Sequence, residues 1–116
     1  MSNVKITVGD GIEADASRRF TDAWHRAERG ETFQERHLAF QSWDTLVRVM
    51  TGKRMELLRY VRHHEVTSIR ALATALGRDY SNVHADVRTL ADAGLLAATP
   101  AGLRADYDGI ETRIAI

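Results

Sequence analysis

The chain has 116 residues, 44% of them apolar and 28% charged, and its 16 Lys and Arg balance 16 Asp and Glu. That length suits one domain with an extension rather than two ordinary domains. The absence of cysteine excludes disulfides, thiolate metal sites and a cysteine nucleophile, and a net charge of zero argues against an indiscriminate nucleic-acid binder.

No apolar run approaches the roughly 20 residues that span a bilayer, and the start MSNVKITVGDG lacks a basic and then apolar leader. The expectation is a cytoplasmic protein without a membrane partner. Val4, Ile6 and Val8 alternate with Lys5 and Thr7, the period of a half-buried strand, which Gly9-Asp10-Gly11 ends. From Glu13 to about Arg29 the residues Ala16, Phe20, Ala23, Trp24 and Ala27 share one helical face, and Gly30 stops that helix. His37 to Phe40 is a second short strand. It pairs with the first either through a parallel crossover or as an arm completing the sheet of another subunit.

Ser42 caps a helix in which Trp43, Leu46, Val47 and Met50 recur at helical spacing, interrupted by Thr51-Gly52. A further helix over about Lys53 to His64 offers Met55, Leu57, Leu58 and Val61 to a core, with Arg54, Arg59 and Arg62 outside for solubility. Ser68 caps the next, with Ile69, Leu72, Ala73 and Leu76 on one face and Gly77 as its left-handed end. Asp79 then caps a helix whose apolar stripe is Val83, Val87, Leu90 and Ala91, closed by Gly94. Leu95 to Thr99, a Pro100-Ala101-Gly102 turn and LRADY predict a two-stranded wing. Finally IETRIAI alternates Ile110, Thr112, Ile114 and Ile116 with Glu111, Arg113 and Ala115, a strand that needs a partner in the same chain or a second one.

The charge is uneven. From Gly52 to Arg104 eight Lys and Arg face five acids, an excess of three, whereas the first 51 residues carry seven bases against eight acids and the tail from Ala105 one against three. Such an excess supplies a local phosphate-binding field. The outward residues of the second helix of the pair, Tyr80, Ser81, Asn82, His84, Ala85 and Arg88, are short or hydrogen-bonding types that suit a DNA groove. Asn82 and Arg88 are the best base readers, because an amide pairs with adenine and a guanidinium with guanine through two hydrogen bonds each. Tyr80, Ser81 and Arg78, at the positive helix end, suit phosphate. Ser68 and Arg70 are further DNA contacts, and Arg104 is placed near the wing tip where a cation reaches the minor groove.

Catalysis and cofactors are not expected. His63 and His64 are adjacent and cannot both face one ion from a helix surface, no HExxH or cysteine pair accompanies them, and no nucleophile elbow or phosphate loop is present. Trp24, Trp43 and Phe20 read as core or dimer-interface anchors.

Through SIRALATALG, DYSNVHADVRTL, AGLL and the wing, residues Thr51 to Tyr107 resemble the winged-helix transcription regulators of the MarR and ArsR type. TGKRMELLRYV, LGRDYSNVHADV and VKITVG are most similar to a group of small archaeal and bacterial DNA-binding regulators. Metal-sensing relatives carry cysteine or histidine clusters that this chain lacks. The resemblance implies a mainly α fold with small β structure (α+β). It divides the chain into an amino-terminal strand-helix-strand-helix extension for dimerisation (1–50), a winged helix-turn-helix domain (51–109) and a carboxy-terminal strand (110–116). It further implies a homodimeric repressor on a near-palindromic stretch of double-stranded DNA. Two other readings stay open: an antitoxin that neutralises a toxin or other protein partner through its amino-terminal region, and a winged helix that binds only protein.

Overall fold

The computed structural model describes residues 3–9 and 35–116 and has an α+β fold. The helix expected over 13–29, with Phe20 and Trp24, lies outside the described residues. The chain divides into two compact units, one of Met1–Leu46 with Tyr107–Ile116 and one of Val47–Asp106.

The first unit is built on a three-stranded sheet of β1 (Asn3–Val8), β2 (Glu35–Phe40) and β5 (Gly109–Ile114), in the order β2-β1-β5. Both pairings are parallel and within the chain. A parallel pair needs a connection of a dozen residues or more, which the stretch between β1 and β2 supplies. Being central, β1 is paired along both edges, and buried residues lie on both of its faces. Val4, Ile6 and Val8 are each 1% exposed, and Thr7, which its alternation assigns to a solvated face, is 6% exposed. Register places Ile110, Thr112 and Ile114 beside Val4, Ile6 and Val8. Tyr107, which leads into β5, is buried, and burial pushes its phenol up to about 12 while the Arg36 charge pulls the other way.

Helix α1 (Trp43–Val49) carries the chain out of this unit. Ser42 caps it as its position predicts, its Oγ accepting from Thr45 N–H at 3.3 Å. The apolar spacing misleads, however. Leu46 is 4% exposed but Trp43 is 52% and Val47 47% exposed, because seven residues offer only one turn-deep contact to a core.

In the second unit α2 (Gly52–His63), α3 (Ile69–Leu76) and α4 (Tyr80–Asp92) surround a core of Leu57, Leu58, Val61, Leu72, Val83, Val87, Leu90 and Leu95. Thr51 caps α2 by accepting from Arg54 N–H at 3.3 Å. The hairpin β3 (Ala97–Thr99) and β4 (Gly102–Arg104) follows, pairing Thr99 with Gly102 and Ala97 with Arg104. Leu103 N–H donates to the Val66 carbonyl at 2.9 Å and ties the hairpin to the α2–α3 link. Gly102 sits at φ +132°, and a Cβ there would overlap the Val66 carbonyl oxygen.

The compact units have other bounds than the segments read from sequence. The unit division falls after Leu46 rather than after residue 50, within a helix that the composition does not interrupt. The segment from Tyr107 belongs with the amino-terminal strands, since the final strand takes the same-chain partner, β1, of the two that its alternation leaves open. No helix among the described residues is long and apolar enough to cross a membrane.

Candidate nucleic-acid interface

Three residues, Gly77, Arg78 and Asp79, turn α3 into α4. Ser68 starts α3 by accepting from Ala71 N–H at 3.0 Å. Gly77 ends it at φ +64°, with its own N–H on Thr74 O at 3.2 Å and Arg78 N–H on Ala73 O at 3.0 Å, a Schellman arrangement that satisfies the last carbonyls. Asp79 Oδ2 then accepts from Asn82 N–H at 3.3 Å and opens α4. Each joint in this turn is made by a residue whose side chain or backbone freedom it requires.

On α4 the buried residues Val83, Val87 and Leu90 fix which way the helix faces. At about 100° per residue, the direction opposite them is occupied by Ser81, Ala85, Arg88 and Asp92, all exposed. Tyr80 and His84 border this stripe on one side, their rings 5.9 Å apart and tilted by 45°. Asn82 borders it on the other, about 120° around the axis from Arg88. The outermost stripe is thus serine, alanine and arginine over the first turns, with the long Arg88 cation followed one turn later by the acid Asp92.

Arg78 belongs to a different environment. Its Nη2 donates to Asp86 Oδ2 at 2.7 Å, and Arg54 Nε donates to Asp86 Oδ1 at 3.0 Å. The three side chains are only 14–18% exposed. Arg54 also spans to the end of α1, with Nη1 on the carbonyls of Arg48 at 2.6 Å and Val49 at 3.1 Å. One carboxylate therefore clamps α2, the turn and α4, leaving the cluster with one positive charge. Arg78 Nη1 is buried without a hydrogen-bond partner among the described residues. Arg54, which spacing assigns to the solvent, is a structural cation.

Arg70 is exposed and places its guanidinium carbon 4.6 Å above the Tyr80 ring, linking α3 to the start of α4. Arg104 stands opposite Ala97, at the end of the hairpin away from the turn. It is not near the tip, where only Pro100 and Ala101 project, and its Nε lies 3.0 Å from Asp106 Oδ2 with both side chains more than half exposed. His64 is occupied locally, stacked on Tyr60 with ring centroids 3.9 Å apart.

A family model named HVO_A0114 matches residues 49–112, more than half of the chain. The chain belongs to the HVO_A0114 family. No curated protein and no solved structure matches it. The segment shared with HVO_A0114 holds all ten of the residues singled out from sequence, Ser68 through Arg104. Within this HVO_A0114 member the structure gathers Tyr80, Ser81, Asn82, His84, Ala85 and Arg88 on exposed α4, with Arg70 adjoining at Tyr80. Ser68 is exposed at the opposite end of α3 from the turn, its hydroxyl engaged as a cap. Asp86 is the residue sequence reasoning passed over. Its signal was its place: an acid one residue short of the apolar position Val87 sits at the edge of the buried stripe, where a carboxylate needs cations.

Proposed function

We propose that the chain is a sequence-specific DNA-binding transcriptional regulator, a winged helix-turn-helix whose α4 enters the major groove while the β3–β4 hairpin lies alongside. The observation that carries this reading is the low stripe of Ser81, Ala85 and Arg88 on the first turns of a 13-residue helix whose other face is fixed in the core, with the acid Asp92 held back to its last turn. The major groove admits an α-helix, short side chains let its axis come close to the base edges, and a guanidinium can make two hydrogen bonds to guanine. In this reading Arg88 meets a guanine edge and Asn82, on the flank, meets an adenine or the adjoining phosphate. Ser81 and Tyr80, at the helix amino terminus, hold phosphate. Arg78 positions the turn from within the Asp86 clamp, and Arg104 contributes from the hairpin base. The unit Val47–Asp106 carries nine Lys and Arg against six acids, which favours a modest, salt-sensitive affinity. The protein acts as a homodimer on a near-palindromic operator and represses by occupying it.

The test is a fluorescence-anisotropy titration against DNA from upstream of its own gene and against random DNA, at two salt concentrations. Specific, salt-sensitive binding that weakens about tenfold or more with Arg88→Ala is the expected result. Equal binding to both DNAs, unchanged by Arg88→Ala and Asn82→Ala, overturns the reading. A protein partner is the second reading, favoured by the exposed Trp43 and Val47 of α1. Under it Trp43→Ala abolishes co-purification with the product of an adjacent gene while DNA affinity stays at the parent value.

A further inference from the structure

We propose that two copies of the chain join edge to edge through β5, antiparallel about a twofold axis at Thr112, so that two three-stranded sheets become one of six strands. This deepens the homodimer in the function proposed above and names its contact.

The backbone is oriented for it. Ala115 N–H donates to Val8 O at 2.8 Å, so the odd-numbered residues of this strand turn their peptide groups towards β1. Alternation then turns the N–H and C=O of Ile110, Thr112 and Ile114 to the outer side. Among the described residues no strand lies there, and Glu111, Thr112, Arg113 and Ile114 are all exposed. An edge of this kind is a template for another strand.

The side chains choose the occupant and the register. Ile110-Glu111-Thr112-Arg113-Ile114 is self-complementary when read against itself in the opposite direction. Pairing about Thr112 sets Glu111 opposite Arg113 of the partner subunit, and Arg113 opposite Glu111 of the partner subunit. Both ion pairs lie on one face. On the other face Ile110 meets Ile114 of the partner subunit, Ile114 meets Ile110 of the partner subunit, and the two threonines meet on the axis. Because outward peptides must face outward peptides, the register can shift only by moving the axis a whole residue at a time. An axis at Glu111 opposes two carboxylates and an axis at Arg113 opposes two guanidiniums, and like charges directly opposite are destabilising. A parallel in-register pairing opposes like charges at both positions. Only the Thr112 axis sets opposite charges against each other at both positions, and it closes as a twofold contact must.

The test measures self-association of the full chain by sedimentation equilibrium without DNA, with far-UV circular dichroism to confirm that each variant is folded. Glu111→Arg and Arg113→Glu each oppose like charges in both symmetry-related pairs, and each is expected to raise the dimer Kd about tenfold or more. The double variant Glu111→Arg/Arg113→Glu, and an equimolar mixture of the two single variants, restore it to within about threefold of the parent. Since the chain contains no cysteine, Thr112→Cys introduces the only thiol. Its Cα atoms would lie about 5.5 Å apart across the axis, within disulfide range, so it oxidises to a covalent dimer while Glu111→Cys does not. A parent that stays monomeric at all concentrations, single variants that dimerise like the parent, or a double variant as weak as the singles overturns the proposal. DNA is absent throughout. A failed operator titration therefore leaves the dimer result standing, and a monomer that still binds operator sinks this pairing without touching the role of α4.

Discussion

Replacing Asp86 by Asn removes the one negative charge between Arg54 and Arg78 while keeping shape and a single acceptor oxygen. Two charge-assisted hydrogen bonds, at 3.0 and 2.7 Å, lose their ionic partner. Each such bond contributes about 1.5–3 kcal/mol, and the two cations left behind are less than a fifth exposed, so water rescues them only in part. Asparagine's remaining oxygen keeps one weakened bond, which puts the expected loss at about 2–3 kcal/mol. With a urea m-value of about 1.5 kcal/mol/M, the midpoint of unfolding followed by circular dichroism falls by about 1–2 M. The exposed pair Arg104–Asp106 is the control, with side chains 59% and 58% exposed. Arg104→Gln is expected to shift the midpoint by less than about 0.3 M. The Asp86→Asn deficit should also persist in 0.5 M salt, since screening acts weakly on pairs that water does not surround. A midpoint within about 0.3 M of the parent, or a deficit that vanishes in salt, refutes the claim that this carboxylate clamps three elements.

In the operator titration Arg88→Ala is expected to relax specificity at one base position while the salt slope stays near the parent value. Arg78→Met should leave the slope unchanged and cost stability instead, which urea unfolding reads. Gly102→Ala, at φ +132° with the Val66 carbonyl in the way, is expected to destabilise by about 2 kcal/mol or more and to release the hairpin in amide hydrogen exchange. Tyr107 binds its proton more tightly folded than unfolded, about 12 against an ordinary 10. Its contribution to stability is therefore complete below pH 10 and lost as pH rises from 10 to 12. Tyr107→Phe should flatten that limb of the stability profile, and an absorbance titration of tyrosinate should lose its latest phase.

What the sequence made legible was whatever is decided within a few residues. Ser42, Ser68 and Asp79 announce their helices because a cap acts on a backbone N–H three positions on, and Gly77 and Gly102 mark positive φ because other residues avoid it. The outward face of α4 followed from the period of Val83, Val87 and Leu90. What stayed hidden depends on distant partners. Arg54 and Asp86 are 32 positions apart, so their clamp leaves no trace in local spacing. Arg104 could be put on the hairpin but not at its base, since that needed the pairing with Ala97. Trp43 and Val47 have the spacing of a core face and yet are exposed, because a seven-residue helix has little to pack against.

The parallel pairing of Asn3 with Gly109 makes the whole of Val47–Asp106 an insertion within the chain that forms the sheet. On a ribosome, β1 emerges first and must wait for about a hundred further residues before its second neighbour exists. Contacts of such separation form slowly, whereas the helices of the inserted unit close over short loops. Refolding should accordingly show two phases, a fast gain of helix and a slower sheet closure. In the interval Val4, Ile6 and Val8 are an apolar strand with one bare edge, and nascent chains arrested before β5 are the species most prone to aggregate.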